Sequence, residues 1–562
     1  MKKRPVFIKV LSLILSLTFF LFAFASCKKE DGEVPQTQTA DPNLKDLTGF
    51  TIVRDYNTNY VTKDDILSFK ENINKFLGID MPVKIDVDFA EVEKEILIGK
   101  TDRAASTEAL NKLKKQTDKD AYIIEITENK ICILGTTEKA TVRAMRVFVN
   151  DYVKLSSANN LNVSKGKTYA SFYDSDKILT LSNGVEIETV VAPTTLMTAE
   201  MNKIFGYVVD ASSTHYPSII ELQHQPNPED NGKLIAHFCL RDSRYASDAC
   251  FMESTNGGKT WNLLSRPVEQ STAGIADSLR PGQMAHIYEL PAAVGNYPAG
   301  TIVYASGSIN YSVRSEIWIW YSTDCGKTWK QTAEIAEGGC VDPVPGWHKQ
   351  SGVWEPFLWY DGGYLYCFYS DDTDLNHDQK LVYKRSKDGV NWENAVDVCT
   401  FDDPSARPGM FIMTKMGNGE YFMVYEYVSK GKAPIYYKTT KDITQWDSEN
   451  PGTLIATPNG KTMNSAPSCI WVPTGGDCGT LIVSASSTAD ELFISFDYGK
   501  TWSTFENPMP YTAKDLDSSS GKPGYSAGFW LGADQRTVYF INTTTSDKIK
   551  KCRIQFTSFR IY

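Results

Sequence analysis

Ser322-Thr-Asp-Cys-Gly-Lys-Thr-Trp329 is one of four copies of a single short pattern. The others are Ser254-Thr-Asn-Gly-Gly-Lys-Thr-Trp261, Ser386-Lys-Asp-Gly-Val-Asn-Trp392 and Ser495-Phe-Asp-Tyr-Gly-Lys-Thr-Trp502. Each reads as a hairpin turn closed by a tryptophan. The Asp or Asn side chain accepts hydrogen bonds from its own turn, Gly supplies the positive φ, and the Trp plugs the turn onto the sheet beneath. Trp261, Trp329 and Trp392 are about 65 residues apart, and the interval to Trp502 is about twice as long. Lys438-Thr-Thr-Lys-Asp442-Ile-Thr-Gln-Trp446 supplies a degenerate copy near the middle of that interval. A unit of this length suits a four-stranded propeller blade, and the C-terminal two thirds of the chain holds roughly six. The predicted fold is an all-β six-bladed β-propeller over residues 195–562, preceded by a small α/β domain.

The chain has 562 residues, too many for one hydrophobic core. Its formal charge of -10 is spread without a basic stripe, which argues against a nucleic-acid partner. Six His with no paired-His phrase give no metal-site signature, and no Gly-rich turn follows a βα signal in the propeller, so no metal and no cofactor is expected. The eleven cysteines include no Cys-x-x-Cys pair and define no disulfide connectivity.

Lys2, Lys3, Arg4 and Lys9, an apolar run over residues 10–24, and Ala25-Ser26 before Cys27 form an export signal. It resembles a bacterial lipoprotein signal, with Phe24 at the first lipobox position. That resemblance implies lipidation of Cys27 and an extracytoplasmic location on the bacterial cell membrane; an uncleaved membrane anchor is the alternative. Residues 28–45 are polar and nearly free of large apolar side chains, the composition of a disordered tether.

Residues 46–175 mix strand and helix patterns. Glu95-Ile-Leu-Ile-Gly99 reads as a strand, 107–115 and 141–153 as helices, and Ala121-Tyr-Ile-Ile-Glu-Ile-Thr127 with Lys130-Ile-Cys-Ile-Leu-Gly135 as a hairpin around Glu128-Asn129. The phrases Ile96-Leu-Ile-Gly-Lys100 and Ala144-Met-Arg-Val-Phe148 resemble the accessory N-terminal domain of exported glycoside hydrolases of the hexosaminidase and α-glucuronidase types. No catalytic constellation stands out in this region.

In a propeller the ligand site lies at the mouth of the central channel, away from the rim turns, so chemistry is sought between the repeats. Glu355, in Gly352-Val-Trp-Glu-Pro-Phe-Leu-Trp-Tyr360, and Glu426, after Tyr421-Phe-Met-Val-Tyr425, are lone carboxylates at the edges of apolar strands about one blade apart. Two carboxylates converging on one sugar are what glycoside hydrolysis needs. Buried structural carboxylates bonded to backbone are the competing interpretation.

The turn motif resembles the Asp-box of the sialidase superfamily. Within it, Val353-Trp-Glu-Pro-Phe-Leu358, Tyr369-Ser-Asp-Asp372, His377-Asp-Gln-Lys-Leu381, Arg407-Pro-Gly-Met410, Gly419-Glu-Tyr421, Tyr425-Glu426, Ser465-Ala-Pro467, Trp471 and Tyr525-Ser526 resemble in order and spacing the exo-arabinanases of glycoside hydrolase family 93. The similarity spans most of residues 205–562. It implies a retaining six-bladed enzyme that removes arabinobiose from linear α-1,5-L-arabinan, with Glu355 as general acid/base and Glu426 as nucleophile. It further implies that Tyr525 touches the nucleophile, although Ser-Ala follows where a Ser-Arg continuation is expected.

Trp354, Asp371, Asp372, Gln379 and Arg407 are the substrate-binding candidates, by stacking or by hydroxyl hydrogen bonds. For Trp354 inward packing is the alternative, for Asp371 and Asp372 a solvated turn, for Gln379 an exposed loop and for Arg407 a structural ion pair. The implied partners are a polysaccharide such as arabinan or pectin side chains and, through lipid, a membrane; a monomer is expected. A sialidase, which needs three arginines around a carboxylate, and a non-catalytic glycan-binding lipoprotein remain open. The first propeller strand, Tyr216-Pro-Ser-Ile219, contains no arginine of the kind that opens sialidases.

Overall fold

A computed structural model describes residues 44–57, 61–116, 121–153, 160–164, 169–174, 178–196, 214–242, 245–267, 283–310, 314–339, 351–403, 405–487, 491–509, 521–546 and 552–562. Cys27 and nearly all of the expected tether lie outside these residues. The chain divides into two compact units, 1–175 and 176–562.

The first unit is built on a six-stranded mixed sheet in the order Val83–Ile85, Thr51–Arg54, Glu95–Ile98, Lys130–Gly135, Ala121–Ile126, Tyr169–Asp174. The first four strands are parallel and the last two antiparallel to their neighbours. The hairpin around Glu128-Asn129 forms as read from the sequence, and the expected helices occupy Ala104–Gln116 and Glu138–Phe148. A further helix, Lys63–Leu77, was not anticipated. Its ends are marked in the sequence: Thr62 and Asp65 form a reciprocal capping box, and Gly78 closes the C-terminus at φ 71°. Leu44–Asp46 pairs with Asn160–Ser164 in a separate two-stranded sheet, so the last residues of the stretch read as tether belong to a strand.

The second unit is a six-bladed propeller. Blades 1 to 5 are four-stranded antiparallel sheets over 214–265, 283–338, 353–399, 407–454 and 468–506. Their first strands run next to the channel: Thr214–Glu221, Gln283–Glu289, Val353–Asp361, Arg407–Lys415 and Ser468–Val472. With Gly521–Leu531 of blade 6 they contact one another in a closed ring.

Blade 6 corrects the expected propeller start at residue 195. Its three C-terminal strands are completed by Glu186–Thr195, which pairs with Cys552–Ile561 from Ile187↔Ile561 to Thr195↔Gln555, and by Ile178–Thr180 outside it. The stretch just ahead of residue 195 is therefore the outer strand that closes the ring. Ile187, Phe559 and Ile561 share one buried cluster, so the seam is a packed interface as well as a ladder.

The repeated turns join the third and fourth strands of blades 1, 2, 3 and 5, with the degenerate copy in blade 4. In each of the four the Ser hydroxyl accepts the turn Gly N–H, at 2.8–2.9 Å. Asp324 and Asp497 accept the N–H of Thr328 and Thr501, both at 2.9 Å. The tryptophans do more than plug their own turns. Trp329 of blade 2 packs at a tilt against Phe251 of blade 1 with ring centroids 4.4 Å apart and donates to Ser265 Oγ at 3.0 Å. Trp502 meets Phe422 of blade 4, and Trp261 meets Phe556 of blade 6. The turns thus seal neighbouring blades together. Cys132, Cys239, Cys325, Cys367, Cys399, Cys469 and Cys478 are free thiols, most of them buried.

Candidate active site

Five of the six inner strands break their ladders at the same level, and the sixth has left-handed backbone just ahead of it. Tyr216, Met284, Glu355, Met410 and Ser526 have φ of 52°, 48°, 57°, 56° and 69°, and in blade 5 Ser465 and Ala466 have 65° and 48° just ahead of the strand. In blades 1, 2, 3, 4 and 6 the pairing register shifts there, between His215 and Ser218, Gln283 and Ala285, Trp354 and Phe357, Gly409 and Ile412, and Pro523 and Ala527. A left-handed non-glycine residue costs about 1–3 kcal/mol. The bulge re-aims its side chain, so six such sites form a ring of redirected side chains around the channel. Proline, which has no N–H to give a ladder, follows at Pro217, Pro356 and Pro467. A cavity of about 340 Å³ runs along these strands, lined at the bulge level by Tyr216, Met284, Glu355, Met410, Pro467 and Ser526.

Glu355 reaches this cavity from blade 3. Its Oε2 accepts from Ser370 Oγ at 2.9 Å and from the Met410 N–H of blade 4 at 2.8 Å; its Oε1 accepts from the Tyr216 phenol of blade 1 at 3.2 Å. Burial pushes the Glu355 carboxyl up to about 7, helped by the negative charge of Glu426 and opposed by these three donors. The group thus keeps its proton to near neutral pH.

Glu426, 7 % exposed, lies on the second strand of blade 4 opposite Gly409. Its Oε2 accepts the Ala466 N–H at 2.8 Å, a donor aimed by the left-handed backbone at 465–466. Burial raises this carboxyl as well, while Ala466, the Ser465 side chain and the Arg407 charge oppose the rise. Glu426 has the Arg407 cation among the leading groups acting on it, whereas Glu355 has the Glu426 charge, so of the two Glu426 is better suited to carry the negative charge.

Arg407 links the remaining candidates. Its Nη2 donates to Asp372 Oδ2 at 3.0 Å and to Gln379 Oε1 at 2.7 Å, and Gln379 in turn donates to Pro408 O at 2.7 Å. The Arg407 side chain stays 35 % exposed. Asp372 is 1 % exposed; burial pushes it up to about 6 against the pull of Arg407. Gly409 makes this crowding feasible, because a Cβ there would lie 2.7 Å from Gln379 Nε2 and 3.4 Å from Glu355 Oε2.

Three candidates fare differently. Trp354 packs inward: it is 8 % exposed, lies against Gly352 and donates its indole N–H to Asp372 Oδ2 at 3.0 Å. It therefore supports Asp372 instead of offering a stacking face. Asp371 closes a turn by accepting from the Thr373 N–H at 2.8 Å and from its hydroxyl. Tyr525 falls within the bulge of the Gly521–Leu531 strand, but its side chain lies outside the described residues.

Sequence reasoning missed Tyr216, Ser370 and His286. His286 Nδ1 accepts the Leu358 N–H at 3.2 Å, and burial lowers its pKa to about 3. The ring is therefore neutral, carries its proton on Nε2 and lines the cavity as a donor. An X-Pro step at the start of an inner strand, shared by Tyr216 and Glu355, is the one signal that could have exposed Tyr216.

Fold and site together define a six-bladed propeller in which Glu355 lines the central cavity and the charge of Glu426 acts on it. No protein-family model matches the chain, and no curated protein does. Solved structures do. A Penicillium chrysogenum α-L-arabinanase complexed with arabinobiose is 28 % identical over 66 % of this chain and 97 % of its own, with a TM-score of 0.54. A family 93 α-L-arabinofuranosidase of Fusarium graminearum, also with arabinobiose, is 26 % identical over 68 % and 98 %, with a TM-score of 0.53. The propeller is similar to these glycoside hydrolases over nearly their whole length.

Proposed function

We propose that this chain is an exported, lipid-anchored exo-glycosidase that cleaves α-1,5-L-arabinofuranosyl linkages of arabinan with retention, releasing arabinobiose. The observation that carries the reading is the asymmetry of the two carboxyls: Glu355 keeps a proton to about pH 7, while Glu426 lies in the field of Arg407. In the first step Glu426 attacks the anomeric carbon as the Glu355 proton passes to the departing glycosidic oxygen. In the second, Glu355 takes a proton from water, whose oxygen attacks the same carbon and frees Glu426. Arg407, held by Asp372 and Gln379, presents its exposed N–H groups to sugar hydroxyls. The N-terminal unit serves as a spacer, and Cys27 carries the lipid.

The test is incubation of the chain lacking residues 1–27 with linear arabinan, branched arabinan and a sialoside, reading the released sugars and their initial anomer by NMR. Arabinobiose of retained configuration is expected from linear arabinan. Glu426→Gln should lower that turnover by about a thousandfold or more with its thermal unfolding intact. Full activity in the variant defeats the assignment, sialic acid release points to a sialidase, and binding without release points to a glycan-binding module.

A further inference from the structure

Two non-glycine residues from different blades, both in left-handed backbone, meet at one oxygen: the Tyr216 phenol lies 3.2 Å from Glu355 Oε1. A carboxylic acid delivers its proton from one oxygen only, so a general acid works when the protonated oxygen faces the leaving group. Glu355 Oε2 is the poorer place for that proton. It already takes the Met410 N–H, a backbone donor that can neither rotate away nor accept, and the Ser370 hydroxyl. Oε1 meets a phenol, which donates to a carboxylate and accepts from a carboxylic acid.

We propose that Tyr216 is a positioning residue that assigns the catalytic proton to Glu355 Oε1 and follows it through both half-reactions. This rests on the reading of Glu355 as general acid/base and adds the oxygen it uses and the residue that selects it. When Glu355 is protonated, Oε1–H lies toward the tyrosine oxygen and the cavity. As the proton moves to the glycosidic oxygen, the phenol turns and donates to the new carboxylate. When water is deprotonated in the second step, the proton returns to Oε1 and the phenol turns back, so no proton is gained or lost by Tyr216. Among the described residues, the other leading groups acting on Glu355 are the Glu426 charge and the Ser370 and Met410 donors, while neutral His286 stands on the neighbouring strand of blade 2.

The experiment compares the purified protein with Tyr216→Phe, which keeps the ring and loses the hydroxyl. Without the phenol donor the ionised form of Glu355 is less favoured. The basic limb of kcat/KM on linear arabinan should therefore move to higher pH. At a fixed pH below that limb, kcat/KM on arabinan should fall about tenfold, whereas an aryl glycoside of the same sugar, whose phenolate needs no proton to depart, should change less than about twofold. Equal losses on both substrates with an unmoved limb overturn the proposal. Infrared titration gives a readout independent of turnover. The Glu355 carboxyl band, identified by its loss in Glu355→Gln, should titrate at higher pH in Tyr216→Phe, and an unchanged titration overturns the proposal. Full arabinan activity in Glu355→Gln would instead remove the acid assignment itself. Selective loss on arabinan in that variant, beside an unaltered Tyr216→Phe, would remove Tyr216 alone.

Discussion

The rim and the channel of this propeller both repeat, but they repeat different things. At the rim the sequence recurs: Ser, Asp or Asn, Gly and Trp return in register, with the same Ser-to-Gly hydrogen bond each time. At the channel the backbone recurs while the side chain changes, from Tyr216 through Met284, Glu355, Met410 and Ala466 to Ser526. A turn that seals one blade to the next has one solution, so its residues are fixed by sterics and hydrogen bonding. A ring of bulges aims side chains inward whatever they are, so each blade can supply a different group.

The contrast can be broken at either end. The largest effect on stability is expected at the rim. Trp329→Ala removes a side chain 8 % exposed that bridges two blades, and should lower unfolding free energy by about 3–5 kcal/mol in denaturant titration. Its kcat/KM, measured where the variant is still folded, should stay within about twofold; a selective loss of catalysis would show that the rim also shapes the site.

At the channel the expected signature is pH. The folded Glu355 pKa, about 7, exceeds the ordinary carboxylate value of about 4.5, so the native state holds an extra proton between them. That contribution is fully present below about pH 4.5 and is lost as pH rises through about 7, by up to about 3 kcal/mol. Glu355→Gln should flatten the fall in thermal stability across that window, and a profile parallel to the parent protein would contradict the burial argument. The smallest effect is a rim cap. Asp324→Ala forfeits the Thr328 N–H bond of an exposed turn and should cost about 1 kcal/mol, read as a small shift in denaturation midpoint without change in kcat/KM.

What the sequence made legible follows the same division. The rim turns, their spacing and the hairpin at 121–135 were readable because local patterns dictate them. Glu355 and Glu426 were readable as polar exceptions in apolar strands. The helix at 63–77 was marked by Thr62, Asp65 and Gly78 yet overlooked. For Trp354 the sequence left stacking and inward packing both open, because its environment, Gly352 on one side and Asp372 at its indole nitrogen, is set by tertiary packing. Tyr216 was invisible for another reason: its partner lies two blades away, and a left-handed tyrosine leaves no compositional trace beyond the proline that follows it.

The pairing of Glu186–Thr195 with Cys552–Ile561 makes the propeller a hoop fastened at one clasp. The first half of that clasp is synthesised before blade 1 and must wait for its Cys552–Ile561 partner until blade 6 exists. Until then five blades form an open arc whose channel has no complete wall, and Tyr216 of blade 1 lacks its blade 6 neighbour. Loosening the clasp would therefore unfasten stability and catalysis in one event, which makes this seam the natural point of failure under heat or force.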